Sequence, residues 1–377
     1  MSNKDKQVTR KRRLGRFGLG LSLCVCVLVL VGAGLAMLAI GTRLTAPEWL
    51  HQKIAQRINA DLPGGQLAFG DMSMVVSEDL VPRLLLRDVD LSADASGQVA
   101  NLSELEITVA PNPLLQGRIQ ASSIRLAGLR LILRRRADGV LAIAFEGADG
   151  ASFASLTDQI DAVFSRPQFA ALSRIEAGNL TLRYEDARAG RAWSVDGGRV
   201  LLTREGAQIG IRGDVALLGA RDYATTLEVS YSGEIGSKEA EFGVNFDDMP
   251  SGDISGQSPA LAWLDALDAP ISGALRASVD GEGRLGPLSA TLQIGAGVLQ
   301  PTPATAPIAF QSARSYFTYD PKANEIRFSE LSVDSEWVSA RAEGPGVLGG
   351  WEDGWPRELQ AQIRGSDISA EPADFYP

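Results

Sequence analysis

The sequence predicts a mainly β protein: one N-terminal transmembrane helix, then an elongated antiparallel sheet with a few short helices. Three observations carry this expectation. Seven basic residues stand before an uncharged run from Phe17 to Gly41. From Gln66 onward, apolar and polar side chains alternate with period two. Gly, Asp and Asn interrupt that alternation at hairpin distances.

The apolar run comes first. A helix needs about 20 apolar residues to cross a bilayer core, and Phe17–Gly41 is long enough with some tilt. Lys4, Lys6, Arg10, Lys11, Arg12, Arg13 and Arg16 keep residues 1–16 on the cytoplasmic side as a basic stub, and Thr42 onward is exported. A cleavable signal peptide has a shorter apolar core and a small-x-small site. The tail Met37-Leu38-Ala39-Ile40-Gly41 offers no clean Ala-x-Ala, which favours a retained anchor spanning 17–41. Arg12-Arg13 is read as part of the basic flank rather than as a twin-arginine signal.

Charge and residue usage exclude several function classes. The first sixteen residues carry seven cations and Asp5, a net +6, and the whole chain is −10, so the remainder is −16. An acidic exported part is a poor partner for nucleic acid. Both cysteines, Cys24 and Cys26, lie in the apolar run, so no disulfide is expected outside the membrane. His51 is the only histidine. The His/Cys zinc sets and the Ser-His and Cys-His pairs therefore lack their parts, and no catalytic residue, metal or cofactor is expected. Asp88 with Asp90, and Asp247, Asp248 and Asp253, are the acidic groups that could attract a hard cation, but acidic pairs at strand ends are usually solvated.

Beyond the anchor, residues 45–62 read as a juxtamembrane amphipathic helix. Thr45 and Glu48 have capping-box spacing. Trp49, Leu50, Ile54 and Ile58 form one apolar stripe, and Pro63-Gly64-Gly65 stops the helix. That stripe suits either the membrane interface or packing on the first strands.

The sheet region, 66–377, follows. Leu105, Ile107 and Val109 alternate with Glu104, Glu106 and Thr108. Ile124 and Leu126 give way to Leu129, Leu131 and Leu133, a phase shift at Ala127-Gly128 that reads as a bulge. Asp138-Gly139 closes a hairpin. Similar segments recur at Leu180–Tyr184, Val200–Leu202, Ile209–Ile211, Leu227–Tyr231, Phe242–Phe246, Leu275–Val279, Ile326–Phe328, Leu331–Val333 and Val338–Ala340. Phe153–Phe164 and Pro259–Leu267 have helical character. Gly281-Glu282-Gly283-Arg284-Leu285-Gly286 matches G-x-G-x-x-G in form, but Pro287 and the alternation of Leu288, Ala290, Leu292 and Ile294 mark a hairpin turn, not a nucleotide loop. A sheet with one apolar face must cover it with a second layer, fold over itself or hold a ligand. With few helices to serve as cover, the sheet is expected to fold over itself around an apolar trough.

The basic stub, the single anchor, Ala46-Pro47-Glu48-Trp49, Leu114-Leu115-Gln116-Gly117-Arg118-Ile119 and Ile124-Arg125-Leu126-Ala127-Gly128-Leu129-Arg130-Leu131 together resemble the AsmA-like family of Gram-negative envelope proteins, and within it the YhdP type. The resemblance covers the anchor and roughly the first hundred exported residues. It implies a bridge-like protein of the inner membrane, with its bulk in the periplasm as a taco-shaped β-groove. In such a groove, phospholipid acyl chains would move toward the outer membrane without bond chemistry. Groove-lining candidates are Leu105, Ile107, Val109, Ile124, Leu126, Leu129, Leu131 and Leu133, each equally at home in a plain core. Bridge-forming members of this type are longer, so the resemblance implies an N-terminal fragment or a short member. Fifteen to twenty strands at about 4.8 Å would span about 70–95 Å. The alternatives are a scaffold for outer-membrane protein assembly, with a periplasmic or outer-membrane protein partner at a strand edge, and an envelope enzyme using carboxylates. Arg134-Arg135-Arg136 is a candidate contact for lipid phosphate, or simply solvated.

Overall fold

A computed structural model describes residues 43–45, four positions between 52 and 59, and, with short interruptions, 65–370. The basic stub and the apolar run 17–41 lie outside the described residues, as do most of 46–64 and 153–163. No helix among the described residues is long and apolar enough to cross a membrane.

The alternating segments become strands β1 (Arg43–Thr45), β2 (Gly65–Phe69), β3 (Met72–Val76), β4 (Pro82–Ala93), β5 (Gln98–Val109), β6 (Ala121–Ala127), β7 (Arg130–Arg135), β8 (Leu141–Ala144) and β9 (Ala151–Ser152). The central strands are longer: β10 (Arg174–Asp186), β11 (Arg191–Glu205), β12 (Gln208–Leu218), β13 (Ala224–Glu234) and β14 (Ala240–Pro250). After them come β15 (Leu267–Asp268), β16 (Pro270–Val279), β17 (Leu285–Ile294), β18 (Gly297–Leu299), β19 (Ile308–Phe310), β20 (Ser312–Asp320), β21 (Glu325–Asp334), β22 (Val338–Gly349), β23 (Glu358–Ala361) and β24 (Arg364–Ala370). Short helices α1 (Pro111–Leu115) and α2 (Ser251–Ser255) and a 3-10 turn, Pro259–Ala266, complete the described elements.

Twenty-one strands join in one sheet, and β15, β18 and β19 form a small second one. Following the pairings, the large sheet runs β3, β4, β5, β6, β10, β11, β12, β13, β14, β16, β17, β20, β21, β22 and then β24. Fifteen strands at about 4.8 Å make a ribbon about 70 Å long.

The sheet is mixed, which corrects the expectation of a purely antiparallel one. β6 and β7 both lie parallel to β10. Antiparallel neighbours can be joined by a tight turn, but a parallel neighbour needs a long return connection. The 38 residues from Arg136 to Ser173 supply it, and period-two alternation is blind to strand direction. From β10 onward, nearly every successive pair in the large sheet is an antiparallel hairpin. One of them is the β16–β17 turn at Asp280–Arg284. There Asp280 Oδ1 accepts the N–H groups of Glu282 and Arg284 at 3.1 and 3.0 Å, and Gly283 turns left-handed at φ 83°. The glycine-rich motif is a turn, as its sequence context indicates. Ile326–Phe328 and Leu331–Val333 are one strand, β21, with an irregularity between Phe328 and Leu331.

The N-terminal edge is capped. Gln52, Ala55, Gln56 and Asn59 are helical, and the Asn59 amide copies a strand partner: Leu67 N–H donates to Asn59 Oδ1 at 2.7 Å, and Asn59 Nδ2 donates to Leu67 O at 3.1 Å. Thr45 ends β1, opposite Ser73 of β3. Buried Leu67, Met72, Leu86, Val89, Leu102 and Leu105 form the adjoining core.

Candidate functional site

Cross-strand register turns local alternation into a continuous surface. Met74, Leu84, Ile107 and Ile124 oppose one another in turn, followed by Ile175, Leu202 and Ile211. The same row continues through Tyr231, Phe242, Ala277 and Leu288 to Tyr319 and Ile326. A second row runs beside it, from Met72, Leu86, Leu105 and Leu126 through Ala177, Val200 and Gly213. It then passes Val229, Val244, Leu275 and Ala290 to Phe317 and Phe328. Thirteen strands thus present apolar side chains at matched levels on one face.

Most of these side chains are half-buried, and three are open: Met74 at 42%, Val229 at 39% and Phe242 at 37% exposure. A sheet face packed under a complete second layer would bury them. Among the described residues, covers lie at the two margins. On one side, Phe164 and Leu172 close over Ile124, Ile175, Ile209 and Ile211, with the Arg204 guanidinium 5.1 Å above the Phe164 ring. On the other, the small sheet and the 3-10 turn bring Leu264, Leu267 and Phe310 onto Phe246, Ile271 and Leu292. Between the margins lies an apolar trough floored by aromatic pairs. Tyr231 and Phe242 meet edge-on with centroids 5.3 Å apart, and Phe317 and Phe328 are tilted at 5.8 Å.

The eight lining candidates fall as follows. Leu105 opposes Leu126 and Ile107 opposes Ile124. Leu105 is buried in the first core, and Ile107, Ile124, Leu126 and Leu129 pack on it. Leu131 and Leu133 face Leu182 and Tyr184 of β10. Val109 pairs with Ala121 at the strand end. The candidates therefore sit at the enclosed, N-terminal part of the trough. Its more open floor, from Ile211 and Tyr231 to Phe328, lies in strands whose alternation was legible but whose side chains the sequence did not single out as lining.

The apolar phase survives a kink that crosses several strands. Asp88, Gly128, Asn179 and Gly197 have φ of 50°, 72°, 51° and 79°. In β4 the apolar positions shift from Leu84 and Leu86 to Val89 and Leu91, and in β10 from Ala177 to Leu180. Each slip returns apolar residues to the trough side. Asp88 is thus a bend residue. Asp248, at φ 55°, has the same role in β14, donating its N–H to Ser272 Oγ at 3.0 Å and accepting from Thr225 at 3.0 Å. Among the described residues no three His, Cys, Asp or Glu side chains come together as metal ligands.

The opposite face is polar and ionic. Glu176, 5% exposed, takes hydrogen bonds from Arg174 at 2.9 Å and Arg199 at 2.9 and 2.5 Å, with Arg125 at 3.7 Å. These guanidiniums hold its carboxyl below the ordinary value. At the far end of the apolar face, Asp186 is buried against Arg135 at 3.3 Å and accepts from the Tyr184 hydroxyl at 3.3 Å. Arg134 pairs with Glu185 at 2.9 Å, so Arg134 and Arg135 are both engaged in ion pairs.

An N-terminal trough of this kind on a kinked, mixed sheet invites comparison with known families. Residues 18–194 match the AsmA family. The matched stretch is a little under half of the chain and includes the enclosed part of the trough, the parallel β6–β10 junction and the kink. No curated protein matches the chain. Beyond residue 194 the same two apolar rows continue without a break in register.

Proposed function

We propose that this AsmA-like chain is a non-enzymatic, inner-membrane-anchored periplasmic protein that carries phospholipid acyl chains along its trough, from the inner toward the outer membrane, in the manner of the YhdP type. The continuity of the two half-exposed apolar rows across thirteen strands supports this reading most directly. Acyl chains laid on that surface would remove apolar area from water at about 25 cal/mol per Å2, while headgroups stay in solvent along the open side. Sliding would need no bond chemistry, because each new position offers the same surface. Cofactors have no part in this mechanism.

The alternative is a periplasmic scaffold for outer-membrane protein assembly. It draws on the C-terminal edge, where β24 lacks a further strand among the described residues and Leu359, Ile363 and Ile368 are 52%, 46% and 68% exposed. Such an edge suits β-augmentation by a protein partner.

A photo-crosslinking residue placed at Phe242 on the trough floor, at Thr318 on the polar face or at Ile368 on the edge separates the two readings in living cells. Phospholipid adducts at Phe242 and none at Thr318 are expected. Protein adducts at Ile368 with no lipid at Phe242 would replace conduction by scaffolding.

A further inference from the structure

On the polar face, behind the trough, β11–β14, β16 and β17 form an open concavity of about 540 Å3. Its floor follows from the register. Arg212 opposes Ser230, Ser230 opposes Gly243, and Gly243 opposes Arg276, which opposes Ser289. Two arginines therefore stand three strand spacings apart, about 14 Å, on either side of a Ser-Gly floor that no large side chain fills. In the neighbouring row Ser232 opposes Glu241. Arg212 and Arg276 have no ion-pair or hydrogen-bond partner among the described residues, and the hydroxyls of Ser232 and Ser289 likewise have none.

This contrasts with the arginines around Glu176, which are neutralised in place. Among the described residues, eleven arginines are already paired with carboxylates, as at Arg83–Glu106 (3.1 Å) and Arg341–Glu330 (3.0 Å). Two uncommitted guanidiniums edging one cavity are an oxyanion site by chemistry, since the planar fork matches phosphate or carboxylate oxygens bidentately. Their placement on opposite walls favours a tetrahedral group. A phosphate monoester offers three terminal oxygens in different directions, whereas a carboxylate offers two in one plane. The serine row adds donors and acceptors for hydroxyl groups, and Glu241 adds an acceptor that disfavours a bare polyanion.

We propose that this cavity binds a phosphate ester of a small polyol. Glycerol phosphate has that chemistry whether it is soluble or forms a lipid headgroup. The site is on the face opposite the trough and does not depend on acyl-chain binding there.

The test is calorimetric titration of the full chain in non-ionic detergent with glycerol phosphate, inorganic phosphate and dihexanoyl phosphatidylglycerol. Glycerol phosphate is expected to bind more tightly than inorganic phosphate. Arg212→Gln and Arg276→Gln, both at exposed positions, should each weaken it about tenfold or more while circular dichroism stays unchanged. Glu241→Gln should narrow the preference for the ester over inorganic phosphate. If Arg276→Gln weakens the lipid to the same degree, the headgroup is a ligand of the cavity. If the lipid binds equally well to wild type and Arg276→Gln while glycerol phosphate does not, the soluble ester is the ligand and the lipid sits elsewhere. Absence of glycerol phosphate binding at low salt, or equal binding by wild type and both arginine variants, overturns the proposal.

Discussion

Gly128, between β6 and β7, and Asn179, in β10, turn left-handed side by side, at φ 72° and 51°, with one constant parallel register on either side of them. Gly128 N–H donates to Gly178 O at 3.2 Å, and Thr181 N–H donates to Leu129 O at 3.0 Å, so the pairing bridges the bend rather than ending at it. Both strands slip phase together, and both keep their leucines on the trough side.

Gly128 is the intolerant member. A Cβ there would meet Ser103 Oγ at 2.5 Å in a backbone conformation that side chains rarely adopt. Gly128→Ala should destabilise the fold by about 1–3 kcal/mol, and Gly128→Ala with Ser103→Gly should recover part of that. Asn179→Gly should lie within about 0.5 kcal/mol of wild type, because asparagine already tolerates this region. Denaturant midpoints at constant m-value would read these differences.

Buried side chains and those on the open trough floor should behave differently. Leu86 is fully buried, and Leu86→Ala should cost about 2–5 kcal/mol through the cavity left behind. Phe242→Asp, at a position 37% exposed, should leave a folded protein whose copurifying phospholipid, measured by native mass spectrometry, falls several-fold. Unchanged lipid in Phe242→Asp would remove the trough from the mechanism.

The Glu176 cluster predicts an acid-sensitive stability. Its carboxyl is held below the ordinary value of 4.5, chiefly by hydrogen bonds from Arg174 and Arg199. A depressed folded-state pKa adds stability above the unfolded value, and that contribution is lost as pH falls from about 4.5 through the lower folded value. Thermal melts should therefore drop across this acid window. Glu176→Gln should flatten the drop and lower stability at pH 7 by about 1–3 kcal/mol, since three guanidiniums lose their shared acceptor.

Asp186 and Arg135 make the opposite kind of pair, out of water at the end of the apolar face. Asp186→Ala should destabilise by about 3–5 kcal/mol by stranding a charge, while joint replacement of Arg135 and Asp186 by leucine should be far milder. A double-mutant cycle on denaturation midpoints measures the coupling.

Much of this was readable in advance because side-chain alternation is local. Leu105 with Ile107, and Leu131 with Leu133, share a face simply because successive residues of a strand point opposite ways. The slip at Ala127-Gly128 was visible for the same reason. The matching slips at Asp88 and Asn179 were equally present in the spacing of Leu86 to Val89 and of Ala177 to Leu180, but nothing local says that they line up. The open floor around Phe242 was not distinguishable from core, since its exposure depends on where Phe164 and Phe310 pack.

By itself, then, the sequence determined a β-rich chain, the apolar side of each strand, the turn at Asp280–Arg284 and the position of one bend. Only the tertiary structure decided that β10 lies parallel to β6 and β7, that four bends join into one kink, and that the described covers pack at the margins of the trough. Alternation depends on neighbours two residues apart. Those later decisions depend on contacts between segments such as Gly128 and Gly178, far apart in the chain, where packing and hydrogen bonding choose among partners that are locally equivalent.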